Sequence, residues 1–103
     1  MYKLTYLEVA KNDIEHIAYY ISHNLNNKTA ARNLLNKLFE DINKISIFPY
    51  GNPEYKPIKK LKYKYRKVKV KNFLVFYTVA ESEKKIIIVR VLYKKMNIQK
   101  ILK

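Results

Sequence analysis

Apolar residues recur along this chain in three rhythms, and each predicts a different kind of element. From Tyr2 to Val9 they alternate loosely, Leu4 and Tyr6 against Lys3 and Thr5, which predicts a first strand. From Asn12 the step lengthens. Ile14, Ile17, Ala18, Ile21 and Leu25 follow at intervals of three and four, the stripe of an amphipathic helix, with Asn12 and Glu15 suited to cap its start. His16, Tyr19, Ser22 and His23 fall off the stripe and read as a solvated face. The polar run Asn24 to Asn27 breaks this helix and caps a second, whose stripe is Ala31, Leu34, Leu35, Leu38, Ile42 and Ile45. Two such helices joined by a few residues form a hairpin that needs a third surface to cover its apolar stripes.

That surface is supplied downstream. All three prolines and the only glycine lie between Pro49 and Pro57, a semi-rigid connection. Beyond it the rhythm becomes that of strands. Tyr65 to Val70 alternates, with Arg66, Val68 and Val70 on one face and Lys67, Lys69 and Lys71 on the other. Phe73 to Ala80 is apolar on both faces, as a central strand would be, and Ile86 to Tyr93 is the last strand. Lys71-Asn72 and Glu81 to Lys85 supply the turns, and Met96 to Leu102 has room for a short helical turn. The order β-α-α-β-β-β predicts an α+β fold: an N-terminal strand and αα-hairpin packed on a twisted antiparallel sheet. A length of 103 residues fits a single domain, residues 1–103, with one core.

Composition sharpens this. With no cysteine and two histidines, a disulfide scaffold, a cysteine nucleophile and a cysteine-liganded zinc are excluded, and no metal or cofactor is expected. No apolar run approaches the ~20 residues that cross a bilayer. No secretory leader is apparent, so a soluble, cytoplasmic protein is expected. The net charge of +14 is lopsided. Residues 1–55 carry six basic groups and six acids, whereas residues 56–103 carry sixteen basic groups and only Glu81 and Glu83. Within that half, Lys59 to Lys71 holds eight basic side chains in thirteen positions, interleaved with Tyr63 and Tyr65. Such a field attracts a polyanion or an acidic partner. The surfaces that carry it are Lys59, Lys60, Lys62, Lys64, Lys67, Lys69 and Lys71, with Lys94 and Lys95 after the last strand.

Taken in order, Ala30-Ala31 opening the second helix, Phe48-Pro49, Tyr65-Arg66-Lys67-Val68, Asn72 to Tyr77, Ile88 to Tyr93, and Asn97-Ile98 with Ile101-Leu102 resemble the RelE/ParE superfamily of toxins from type II toxin–antitoxin modules. The resemblance covers nearly the whole chain and implies a cognate acidic antitoxin that wraps the toxin. It also implies one of two targets: DNA gyrase for ParE-like members, or messenger RNA in the ribosomal A site for RelE-like ones.

The residues must choose between these. Cutting RNA through its 2′-OH needs a proton acceptor, a proton donor and cations around the phosphate. His16 and His23 lie in the electroneutral half. Glu54, in Gly51-Asn52-Pro53-Glu54, resembles the acid-bearing loop of YoeB-like nucleases, yet also reads as an ordinary loop carboxylate. RelE-like nucleases carry an arginine where this chain has Leu74. A nuclease built from this sequence would draw on Arg66, Lys67, Lys69, Arg90 and Tyr93, with a lysine of lowered pKa as its base. Arg66 and Arg90 also read as ion-pair members, with Glu8 or Glu40 as partners, and Tyr93 as a stacking platform or a cap on the core. The expectation is a ParE-like toxin acting on gyrase. The alternatives are a ribosome-dependent endonuclease and a basic nucleic-acid-binding module or inactive toxin.

Overall fold

The computed structural model describes residues 1–56, 61 and 63–102. In chain order the elements are β1 (Lys3–Tyr6), α1 (Glu8–Tyr19), a π turn (Tyr20–Asn24), α2 (Lys28–Ile47), β2 (Arg66–Val70), β3 (Phe73–Ala80), a 3₁₀ turn (Glu81–Glu83), β4 (Lys85–Tyr93) and α3 (Ile98–Ile101). The expected α+β order is therefore present, down to the short C-terminal helix.

Two details differ from the sequence expectation. Helix α1 starts at Glu8, so Asn12 and Glu15 sit inside it rather than at its cap. The start is set by the sheet: the Leu7 N–H donates to the Ile88 carbonyl at 3.0 Å, and the Leu7 carbonyl accepts from Ala10 and Lys11. Glu8 in the first turn complements the positive end of the helix dipole. The second difference is in the sheet, whose strand order is β1-β4-β3-β2. The three later strands are antiparallel as expected, but β1 runs parallel to β4, Lys3 opposite Lys85 and Tyr6 opposite Ile88. The sheet is thus mixed. A strand followed by a helical crossover, and not by a hairpin, is free to return in parallel.

The helix hairpin packs on one face. Ala10 and Ile14 of α1 and Leu38, Ile42 and Ile45 of α2 meet Val70, Val75, Tyr77, Ile86, Ile88 and Val91 in the main core. On the opposite face a second cluster joins Tyr65, Phe76 and Leu92 to Ile98 and Leu102 around α3, with Tyr55, Leu61 and Leu74 at its margin. Strand β3 is apolar on both faces because both faces are covered. A bulge at Val89, where Tyr77 pairs with Ile88 but Phe76 with Arg90, shifts the alternation of β4 by one position. Ile86, Ile88 and Val91 consequently face the helices, while Val89 and Leu92 face the second cluster.

Asn27 caps α2 as expected, its Oδ1 accepting the Ala30 N–H at 2.9 Å. Lys71, in the turn expected between β2 and β3, takes a left-handed φ of 54°.

Candidate functional site

Among the described residues, most of the cations expected to form the site lie toward the two ends of the β2–β3–β4 meander. Lys59, Lys60 and Lys62 lie outside the described residues. At the start of β2, Arg66 is half-buried. Its Nη1 donates to the Asn52 carbonyl at 2.7 Å and its guanidinium lies 5.0 Å from the centre of the Tyr50 ring. Lys67 extends over Tyr55 at 5.5 Å. Lys64 and Lys69 are exposed. At the far end, Lys71, Lys94 and Lys95 cluster around two adjacent turns, the Lys94 N–H donating to the Asn72 carbonyl. Tyr93 is there too, edge-on to Phe73 at 5.8 Å between ring centres. Arg66 pairs with Tyr77 and Tyr93 with Phe73, so the two residues stand about 13 Å apart along the strands.

Arg90 belongs to neither end. Strand β1 stops at Tyr6, which leaves the outer edge of β4 open beyond Ile88, and α1 lies across that opening. Asp13 fills it. Its carboxylate accepts Arg90 Nε at 2.8 Å, Arg90 Nη2 at 2.9 Å and the Val91 N–H at 3.0 Å. Donating to the Asp13 carboxylate pushes the Arg90 pKa further up. Arg90 is thus an ion-pair member, but its partner is Asp13 and not Glu8 or Glu40. The carboxylate interrupts the stripe Ala10, Ile14, Ile17, and that interruption was the signal in the sequence.

The loop after α2 is held against the sheet from two sides. The buried Tyr77 hydroxyl donates to the Pro49 carbonyl at 2.6 Å and accepts from Asn52 Nδ2 at 3.2 Å. Burial raises the pKa of that hydroxyl. At the surface, Glu81 accepts from Tyr50 at 2.5 Å, from Tyr2 at 2.7 Å and from Lys84. One carboxylate therefore ties the N-terminus, the loop and the β3–β4 turn together. Its pKa falls from 4.5 to about 2, through Lys84 first and then the two tyrosines. A lowered pKa stabilises the fold above the ordinary value and loses that contribution as pH falls through the folded one. Urea midpoints of the wild type and Glu81→Gln are expected to differ above about pH 5 and to converge as pH approaches 2. A difference that persists at pH 2 contradicts this.

Glu54, half-buried, pairs through its backbone with Arg66 and through its carboxylate with Lys56 at 3.8 Å. His16 and His23 lie on the hairpin, as expected from the sequence. His23 stacks on Tyr19 with ring centres 4.1 Å apart, while His16 lines a groove that sequence reasoning missed. This groove of about 600 Å³ runs between the hairpin tip and the far end of the sheet, walled by Ile17, Tyr20, Ile21, Leu25, Phe73 and Tyr93. The π turn makes it: the Leu25 N–H donates five residues back to Tyr20, and the widened turn leaves Tyr20 and Leu25 more than half exposed. Lys71 and Lys94 directly adjoin in sequence the lining residues Asn72 and Tyr93 at its sheet end. No group of His, Asp or Glu able to hold a metal is present among the described residues. Nor is any described helix long and apolar enough to cross a membrane.

Solved structures share this fold. The chromosomal ParDE TA system from P. aeruginosa is similar at 17% identity, with a TM-score of 0.70, over 90% of this chain and 96% of that one. The archaeal RelE–RelB complex from Pyrococcus horikoshii OT3 is similar at 14% identity and a TM-score of 0.53, over 91% and 96%. No curated protein matches the chain by sequence. The fold is that of the RelE/ParE superfamily of type II toxins. Residues 4–98 match the family model for the ParE toxin of type II toxin–antitoxin systems, parDE, and the chain belongs to that family.

Proposed function

We propose that this toxin arrests growth by acting on DNA gyrase and does not itself cut nucleic acid. The observation that carries the reading is the dispersal of the groups a nuclease would need. Arg66 stands at one end of the meander and Tyr93 at the other, and Arg90 is engaged by Asp13 at the outer edge. Leu74, at the margin of the second cluster, supplies no cation on the face where Lys67 and Lys69 stand. The match to the ParE family supports the same target.

A second reading, a ribosome-dependent endonuclease, draws on one specific observation: Glu54 is bridged through its backbone to Arg66. Purified protein decides between them. Loss of gyrase-dependent supercoiling with reporter translation intact is the expected result. Cleavage of a message in the ribosomal A site, abolished by Glu54→Gln, would establish the second reading instead. If expression of the chain leaves growth untouched, a basic binding module replaces both.

The partner we propose is an acidic antitoxin, whose amphipathic segment folds into the groove at the hairpin tip. Aromatic walls and a lysine-bearing end suit an apolar helix flanked by carboxylates.

A further inference from the structure

Strand alternation sets further cations on the sheet face turned away from the helix hairpin. Leu4, Tyr6, Val79, Ile86 and Ile88 pack into the helix-side core, so their neighbours Lys3, Thr5, Thr78, Ala80, Lys85 and Ile87 point the other way. In register, Lys3 stands opposite Lys85 and Lys85 opposite Ala80; two residues along, Thr5, Ile87 and Thr78 stand abreast. Lys3 is exposed, and Lys85 and both threonines are half-buried. Two cations side by side on neighbouring strands, about 4.8 Å apart at the backbone, repel. Among the described residues neither lysine makes an ion pair, and Glu81 of the adjoining turn is taken by Lys84. Val68 and Val70 turn toward the helices, so Lys67 and Lys69 join the same outer face from its other side. Lys67 pairs with Phe76 and Lys85 with Ala80, which puts the two sets of cations about 17 Å apart.

What lies between the lysines selects the occupant. An acidic amphipathic segment needs apolar anchors, and beside the two threonines and Ala80 only Ile87 offers one. A single nucleic-acid strand needs open aromatic platforms. Phe76 on this face is buried, and Tyr55 stands edge-on to it at 5.4 Å, beneath Lys67. Lysines with hydroxyls suit phosphate oxygens. A span of about 17 Å also suits the two phosphate strands that flank a major groove about 12 Å wide. We infer that this face holds a DNA duplex by its phosphates, without reading its sequence. Such binding concentrates the toxin on the polymer that gyrase works on. That the duplex is DNA rests on the gyrase reading above; that the ligand is a phosphate backbone does not.

The probe is a fluorophore-labelled DNA duplex of about 20 base pairs, titrated by anisotropy between about 50 and 200 mM salt. Wild type is expected to bind A·T-rich and G·C-rich duplexes alike, with a log–log salt slope of about −4. Lys3→Gln with Lys85→Gln should shrink that slope by about 2 and weaken binding about 30-fold at the low-salt end. Lys28→Gln with Arg32→Gln removes the same charge from the exposed face of α2 and should leave the slope unchanged. Should the first variant fail to fold, Lys67→Gln with Lys69→Gln tests the other side of the face and is expected to act the same way. Equal losses in the α2 variant, or no binding by wild type at about 50 mM salt, overturns the inference. So does tighter binding of the matching single strand, of the RNA duplex, or of a polyglutamate of equal charge. Supercoiling assays separate the two readings. Duplex binding with these slopes but no inhibition of gyrase sinks the gyrase reading and leaves the site. Inhibition of gyrase without duplex binding does the reverse.

Discussion

Asp13→Ala is expected to lower the free energy of unfolding by about 2–4 kcal/mol. The carboxylate holds three donors at once, and its side chain is only 12% exposed against 23% for Arg90. Removing it leaves a half-buried guanidinium and a strand-edge N–H with no acceptor, and that desolvation cost dominates the loss. Asp13→Asn should lose less, because its amide oxygen still accepts from Val91. Replacing both Asp13 and Arg90 by leucine should recover much of the difference, since a well-packed apolar pair carries no orphaned charge. Urea denaturation of the four proteins measures this. A double variant no more stable than Asp13→Ala would mean that the unpaired guanidinium is not the source of the loss.

Leu25→Glu is expected to weaken binding of the acidic antitoxin by about 30-fold or more. Leu25 is 56% exposed in the free protein, so the change should leave the thermal midpoint nearly unmoved. In the complex the new carboxylate would be buried against an apolar, acid-flanked segment, with both terms unfavourable. Titration calorimetry of the purified pair gives the answer, and unchanged affinity would remove the groove as the docking surface.

Much of this molecule is legible in its sequence, because the element types follow from local rhythm. The stripe from Ala31 to Ile45, the apolar block Phe73 to Ala80 and the alternation of Arg66 to Val70 each report their own burial pattern, whereas the stripe that starts at Ile14 ends on the exposed Leu25. What pairs with what is less local. Nothing within Tyr2 to Val9 states that its neighbour is β4 or that the pairing is parallel. The capping signature at Asn12 and Glu15 was overridden because the Leu7–Ile88 hydrogen bond sets where the chain leaves the sheet. The site was legible in its charge but not in its geometry. Lysine runs mark surfaces directly, whereas the groove joins residues from the hairpin tip to residues some fifty positions later, and no single window contains it. Asp13 was within reach of sequence reasoning, since a carboxylate on an apolar stripe needs a cation opposite.

The parallel pairing of the first and last strands has a kinetic consequence. Lys3 meets Lys85 only after the intervening chain exists, so β1 cannot be placed until β4 has been made. The helices can form early, but their apolar stripes await a sheet whose central strands come late in the chain. Until β1 is placed, Leu7 has no carbonyl to anchor it and Asp13 has no arginine. The edge that joins β1 to β4 therefore closes only once the last strand is available to pair.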